Sequence, residues 1–154
     1  MATAVGIESN VVTLLRHLVE LDYDAIEAYE AAIERLEGEG DRATMGAFLE
    51  DHRRHVRELT ALLEGAGHEA PSGPDIKRVL TKGKVVLGGL VGDHAVLVAM
   101  KTNEEDTNTA YERAAGRADL SPDVRDLLAR NLSDERRHRD WIVARIAAMA
   151  HAVE

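Results

Sequence analysis

Acidic, histidine and tyrosine side chains recur in the two halves of this 154-residue chain with nearly the same spacing. The segment Asp-His-Arg-Arg-His at 51–55 matches Asp-Glu-Arg-Arg-His at 134–138. The pair Asp22 and Tyr29 matches Glu104 and Tyr111, about 82 residues further along. Carboxylates and imidazoles that converge inside a helical bundle can bind iron, manganese or zinc. The doubled pattern therefore indicates a metal site built from two similar halves.

The apolar residues around these groups predict which face of each helix carries them. Asp22 lies seven residues from both Leu15 and Tyr29, a spacing that places all three on one face of a helix. The same relation to apolar neighbours holds for His52, His55, Glu104 and Glu135, and His138 lies one turn on from Glu135. Buried carboxylates are costly unless they are paired or bound to a metal. We therefore expect one polar layer of three acids and three histidines near the middle of the bundle.

Glycine, proline and capping residues divide the chain into four long helical segments. The predicted helices span residues 9–36, 41–64, 93–116 and 122–151, with Ser9, Asp41, Asp93 and Ser121 as N-caps. Residues 65–92 form a crossover that contains a short extra helix at about 76–91. Short connections within each half make its two helices antiparallel. The expected fold is one all-α domain, an antiparallel four-helix bundle.

The composition excludes several classes of protein. Hydrophobic residues make up 45% of the chain and aromatic residues only 3%, which is typical of a helical bundle. A net charge of −9 argues against a nucleic-acid partner. The absence of cysteine excludes disulfides, thiolate zinc sites and a built-in iron–sulfur electron carrier. The longest apolar stretch, residues 85–100, is too short to span a membrane, and no signal peptide is evident. We expect a cytoplasmic monomer or homodimer.

These motifs resemble the ferritin-like superfamily, which includes bacterioferritin and rubrerythrin. The resemblance rests on the acid-x6-Tyr pairs and on Glu135-x-x-His138, and it covers about residues 10–150. The glycine-rich crossover is more similar to uncharacterised bacterial ferritin-like domains of unknown function. By this resemblance, Asp22 and Glu104 are terminal metal ligands, and the second and fourth helices each contribute a Glu-x-x-His pair. Tyr29 and Tyr111 are either packing residues or groups whose hydroxyls orient the ligands.

The second helix departs from the superfamily's pattern at one position. His52 stands where a glutamate normally bridges two metals, so this helix carries His52-x-x-His55. We expect His52 to be a ligand and Asp51 to be solvated. The nearby arginines Arg53, Arg54, Arg136 and Arg137 are expected on the outward face. A site of three carboxylates and three histidines is less anionic than the usual set, which favours zinc or a single iron.

Three functions fit the sequence. The first is a metalloprotein that uses one or two ions, iron before zinc or manganese, to react with dioxygen or peroxide, with electrons from an external donor. The second binds metal without turnover. The third is a stress-related structural or interaction bundle whose polar layer holds no metal. Whether the chain is an enzyme is left open by these alternatives.

Overall fold

The chain folds into four α-helices, and no strand occurs in the part described. The computed structural model describes residues 3, 5, 6, 10–74, 87 and 90–152, with side chains up to residue 150. The helices are α1 (Val11–Arg35), α2 (Glu39–Gly65), α3 (Asp93–Ala115) and α4 (Pro122–Ala152). The prediction of an all-helical protein with four long helices is confirmed. Ser9 and most of the predicted extra helix at 76–91 lie outside the described residues.

Two of the predicted helix starts differ from those observed. Asn10 caps α1, and its side-chain oxygen accepts hydrogen bonds from the backbone N–H groups of Val12 and Thr13 at 2.8 and 3.2 Å. Helix α2 begins at Glu39, so Asp41 lies in the first turn instead of capping the helix. A carboxylate there still interacts favourably with the helix dipole. Asp41 also pairs with Arg145 of α4 at 2.8 Å.

Asp93 does not cap its own helix, contrary to the prediction. The N-cap of α3 is Gly92, whose φ of 90° lies in the left-handed region that favours glycine. The Asp93 carboxylate instead accepts hydrogen bonds from the backbone N–H groups of Glu37 and Gly38, at 2.8 and 3.0 Å. It therefore ties the start of α3 to the connection between α1 and α2.

The helices pack in four pairs and enclose two apolar clusters. The pairs are α1 with α2, α3 with α4, α1 with α3, and α2 with α4. One cluster is centred on residues such as Leu18, Leu59 and Leu128, and the other on residues such as Ala32, Met45 and Met100. The first cluster combines the N-terminal halves of α1 and α4 with the C-terminal halves of α2 and α3. The predicted polar residues lie between the two clusters along each helix.

The outward faces of the described helices are polar, as expected for a bundle. Four acids lie exposed on these faces, namely Glu27, Glu30, Glu34 and Glu105. Arg53 forms ion pairs with Glu30 and Glu50 on the surface. No helix in the described ranges is both long enough and apolar enough to cross a membrane.

Candidate metal centre

The six predicted ligands come together in one buried layer between the apolar clusters. All six have an exposed fraction of 0%: Asp22 from α1, His52 and His55 from α2, Glu104 from α3, and Glu135 and His138 from α4. Each of the four helices therefore contributes at least one donor group to the layer. Within it, the donor atoms form two groups of four residues, and the atoms of each group lie within 4.8 Å of one another.

The first group consists of Asp22, His52, His55 and Glu135. The Asp22 Oδ1 atom lies 2.8 Å from the Nδ1 atom of His52 and 3.3 Å from the Nδ1 atom of His55. The Glu135 Oε1 atom lies 3.4 Å from His52 Nδ1 and 3.6 Å from His55 Nδ1. Two imidazole nitrogens and two carboxylate oxygens thus converge on one small volume, a donor set that suits a borderline dication.

The second group consists of His52, Glu104, Glu135 and His138. The Glu104 Oε1 atom lies 3.6 Å from the Nε2 atom of His52 and 3.6 Å from the Nδ1 atom of His138. The second oxygen of Glu135, Oε2, is also 3.6 Å from His138 Nδ1. His52 and Glu135 therefore belong to both groups.

Three polar atoms of this layer are buried without a hydrogen-bond partner. They are the Nε2 atom of His52, the Oε1 atom of Glu135 and the Nδ1 atom of His138. Leaving such atoms unpaired in a protein interior costs about 1–3 kcal/mol each. Cations in the two donor groups would satisfy these atoms, so the donor set fits a metal ion. The buried acidic and histidine groups could hold such an ion.

Two further acids lie outside the layer and contact two of its histidines. Asp51 lies 2.8 Å from the Nε2 atom of His138, and Asp134 lies 2.9 Å from the Nε2 atom of His55. Each acid comes from the opposite helix, so the repeated motifs on α2 and α4 support each other. An acid at Nε2 fixes the ring and leaves Nδ1 free to face the layer.

The prediction that Asp51 is solvated was therefore wrong. Its side chain is only 16% exposed and also bonds Arg137 at 2.8 Å. Asp51 lies on the edge of α2 that faces α4, and its carboxylate reaches the neighbouring helix instead of solvent. The arginines of the two motifs do lie outward, and Arg54 forms the equivalent ion pair with Asp134.

The two tyrosines form reciprocal hydrogen bonds between α1 and α3. The Tyr111 hydroxyl donates a hydrogen bond to Asp22 at 2.5 Å, and the Tyr29 hydroxyl donates to Glu104. Both rings are fully buried. The Tyr111 hydroxyl bonds Oδ2 of Asp22 and leaves Oδ1 to the histidines, whereas the Tyr29 hydroxyl bonds Oε1 of Glu104, the oxygen nearest His52 and His138. Both contacts fix the orientation of a carboxylate in the layer.

Two supporting residues were not identified from the sequence. Thr107 donates a hydrogen bond to Glu135 Oε2 at 3.0 Å, and Asn108 donates to the backbone carbonyl oxygens of Glu104 and Glu135. Both side chains are 1% exposed. Their positions three and four residues after Glu104 place them on its face of α3, and this spacing is the signal that could have identified them.

A family model described as a domain of unknown function, DUF2383, matches residues 10–117. The chain belongs to the DUF2383 family. The matched residues include Asp22, His52, His55 and Glu104. The DUF2383 chain is also similar to the crystal structure of a conserved hypothetical protein, rv2844, from Mycobacterium tuberculosis, with a TM-score of 0.70 and 16% identity over 87% of this chain and 88% of that one. This likeness shows the fold alone. No curated protein matches the sequence.

The layer of this DUF2383 protein favours charged histidines when no metal is bound. Burial opposes charge on His52, but the carboxylates of Glu135 and Asp22 outweigh it and raise the pKa of His52 to about 9. Burial also opposes charge on His138, yet Asp51 and Glu104 raise its pKa to about 11. The pKa of His55 is raised well above its ordinary value, because Asp22 and Asp134 outweigh burial.

The pKa values of two acids in the layer are shifted downward. Burial alone would raise the pKa of Asp22, but His55 and His52 lower it to about 2. The pKa of Glu104 is also lowered, since His138 and His52 outweigh its burial. Three protonated histidines would balance three carboxylates in the metal-free layer, so a metal that binds there must displace protons from the imidazoles.

Removing one tyrosine hydroxyl should weaken the metal-free DUF2383 bundle. We expect Tyr111→Phe to lower the free energy of unfolding by about 1–3 kcal/mol, because buried Asp22 loses a hydrogen-bond donor while the ring is retained. Urea unfolding monitored by circular dichroism measures this change. The control is Tyr23→Phe at a half-buried position of α1, which we expect to change stability by less than about 0.5 kcal/mol. Equal stability of the two variants would contradict the prediction.

Proposed function

We propose that this protein is a ferritin-like, antiparallel four-helix bundle that binds one or two metal ions in its polar layer. The observation that carries the proposal is the convergence of six fully buried donor residues, three of which have a buried polar atom without a hydrogen-bond partner. Nitrogen and oxygen donors in this ratio suit iron, and they also accommodate zinc or manganese.

The packing of the helices supports the ferritin-like arrangement. The N-terminal half of α1 packs with the C-terminal halves of α2 and α3 and with the N-terminal half of α4. This pattern is what antiparallel α1/α2 and α3/α4 pairs joined by a long crossover produce. The two acid-x6-Tyr pairs lie on α1 and α3, and Glu135-x-x-His138 lies on α4, as in the superfamily that the sequence resembles.

In this proposal each side chain has a defined task. Asp22 and Glu104 bind metal while Tyr111 and Tyr29 fix their carboxylates, and His55 and His138 bind through Nδ1 while Asp134 and Asp51 hold Nε2. Iron in the layer would supply electrons to dioxygen or peroxide. The chain has no cysteine, so a second protein or a small reductant must return those electrons.

A second candidate is metal binding without turnover. It is favoured by His52, because imidazole in place of a carboxylate makes the layer less anionic and better suited to zinc. Anaerobic loading with ferrous iron, followed by oxygen or peroxide, separates the two candidates. Consumption of the oxidant together with new near-ultraviolet absorption supports the redox candidate. Loaded protein that consumes neither oxidant supports binding alone.

Metal content provides the first test of the proposal. Protein purified from cells supplied with iron and zinc should contain metal, and Glu135→Gln should lose most of it because both donor groups lose a carboxylate. The control is Glu105→Gln, which alters an exposed acid of α3 and should leave the metal content unchanged. Elemental analysis measures both. Wild-type protein without metal, before and after incubation with Fe²⁺ or Zn²⁺, would contradict the proposal.

A further inference from the structure

We propose that His52 is a shared ligand whose imidazole joins two cation positions, with Nδ1 serving one and Nε2 the other. This inference rests on the proposed metal binding and adds to it the number of ions and the group that links them. It departs from the glutamate bridge expected from the superfamily. The first position is the group of Asp22 and His55, and the second is the group of Glu104 and His138.

The two nitrogens of His52 face different acids. Its Nδ1 atom lies 2.8 Å from Asp22, which belongs only to the first position. Its Nε2 atom lies 3.6 Å from Glu104, which belongs only to the second, and this nitrogen has no hydrogen-bond partner. Because the lone pairs of the two nitrogens diverge in the plane of the ring, one imidazole contributes a donor to each position.

Glu135 spans the same two positions from the opposite helix. Its Oε1 atom lies 3.6 Å from His55 Nδ1, and its Oε2 atom lies 3.6 Å from His138 Nδ1. The positions therefore share one imidazole from α2 and one carboxylate from α4. Each position also has two residues that belong to it alone. These are Asp22 and His55 in the first position and Glu104 and His138 in the second.

The surroundings of the three histidines set His52 apart. His55 and His138 each use Nε2 to contact an acid outside the layer, Asp134 or Asp51, so each has only Nδ1 for a metal. The acids around both nitrogens of His52, in contrast, all belong to the layer itself. A neutral imidazole carries one N–H, so sharing requires that this last proton also leaves to solvent. Two dications supply the positive charge that stabilises the resulting anion.

Zinc titration of single variants tests the sharing directly. Wild-type protein should bind two Zn²⁺ per chain. His55→Ala and His138→Ala should each weaken one binding step by roughly tenfold or more, whereas His52→Ala should weaken both. His52→Glu should restore both steps, because the two oxygens of a carboxylate can also serve two positions. Competition with a chromophoric chelator measures the affinities, and far-ultraviolet circular dichroism verifies that each variant is folded.

Nitrogen-15 NMR of zinc-loaded wild-type protein tests the inference without any substitution. Both ring nitrogens of His52 should show metal-bound shifts and no attached proton, while His55 and His138 each keep a proton on Nε2. A proton that stays on either nitrogen of His52 overturns the shared ligand.

The outcomes separate this inference from the proposed function. Binding of one Zn²⁺ per chain, or a His52→Ala variant that loses only one step, overturns the shared ligand and leaves metal binding intact. Failure of the wild-type protein to bind any Zn²⁺, Fe²⁺ or Mn²⁺ overturns both.

Discussion

The metal-free protein should lose stability as the pH rises from about 6.5 to 9. In this range the unfolded histidines are neutral, whereas folded His52, with a pKa of about 9, still holds its proton. The folded state therefore binds more protons, and its stability must fall with increasing pH. For His52 alone the loss is roughly 3 kcal/mol, at about 1.4 kcal/mol per pKa unit. His138, with a pKa of about 11, extends the loss above pH 9, and the pKa of His55 is shifted in the same direction.

The pH dependence of stability that comes from the acids has the opposite sign. The pKa of Asp22 is lowered to about 2, so its contribution is present above its ordinary value of 3.8 and is lost as the pH falls through 2. Stability of the metal-free protein should therefore be greatest between about pH 4 and 6.5.

Urea unfolding at a series of pH values, with a chelator present, measures this profile. Saturating Zn²⁺ should remove the decline above pH 6.5, because the metal replaces the imidazole protons, and its stabilising effect should be larger at pH 8 than at pH 5. The control is His94→Ala, which alters an exposed histidine and should leave the profile unchanged. A flat profile between pH 6 and 9 would show that the buried histidines are neutral in the metal-free protein.

Removal of one histidine should be more damaging than removal of a comparable apolar group. We expect His138→Leu to destabilise the metal-free protein by about 3–5 kcal/mol, because buried Glu104 loses one of its two histidine counterions and half-buried Asp51 loses its contact with the imidazole. The ring contact with Phe48, at 4.3 Å between centroids, is lost as well. Thermal or urea unfolding in the presence of a chelator measures the change.

Two further variants identify the cause of this loss. His94→Leu makes the same substitution at an exposed site of α3 and should change stability by less than about 0.5 kcal/mol. In the double variant His138→Leu/Glu104→Gln, the neutral amide removes the buried charge that has lost the His138 counterion, so its stability should exceed that of His138→Leu. A double variant that is less stable than the single one would assign the loss to packing and not to charge.

Periodicity was sufficient to predict the helices and the members of the polar layer. The seven-residue spacing of Asp22 between Leu15 and Tyr29 determines the face on which it lies, whatever the neighbouring helices are. All six predicted ligands are accordingly buried at one level. Helix ends were predicted to within two residues, but their caps were less predictable, since Asp93 bonds a different part of the chain.

Contacts between helices could not be predicted from the sequence. Whether Asp51 faces solvent or His138 depends on which helix lies beside α2 and at what height, and spacing along one helix does not contain that information. Thr107 and Asn108 were missed for a related reason. Short polar side chains on a helix usually face water, so their spacing from Glu104 indicates their face of α3, and the contacts with Glu135 show their role.

The reciprocal contacts make the two halves of the chain incomplete on their own. Tyr29 reaches Glu104, Tyr111 reaches Asp22, Asp51 reaches His138 and Asp134 reaches His55, so every one of these supports crosses from one half to the other. A segment with α1 and α2 alone would leave His55 without Asp134 and Asp22 without Tyr111. Two such segments related by a twofold axis would complete each other. The full chain is thus equivalent to a dimer of half-chains joined covalently, and the ligands of the two halves differ at two positions, Asp22 opposite Glu104 and His52 opposite Glu135.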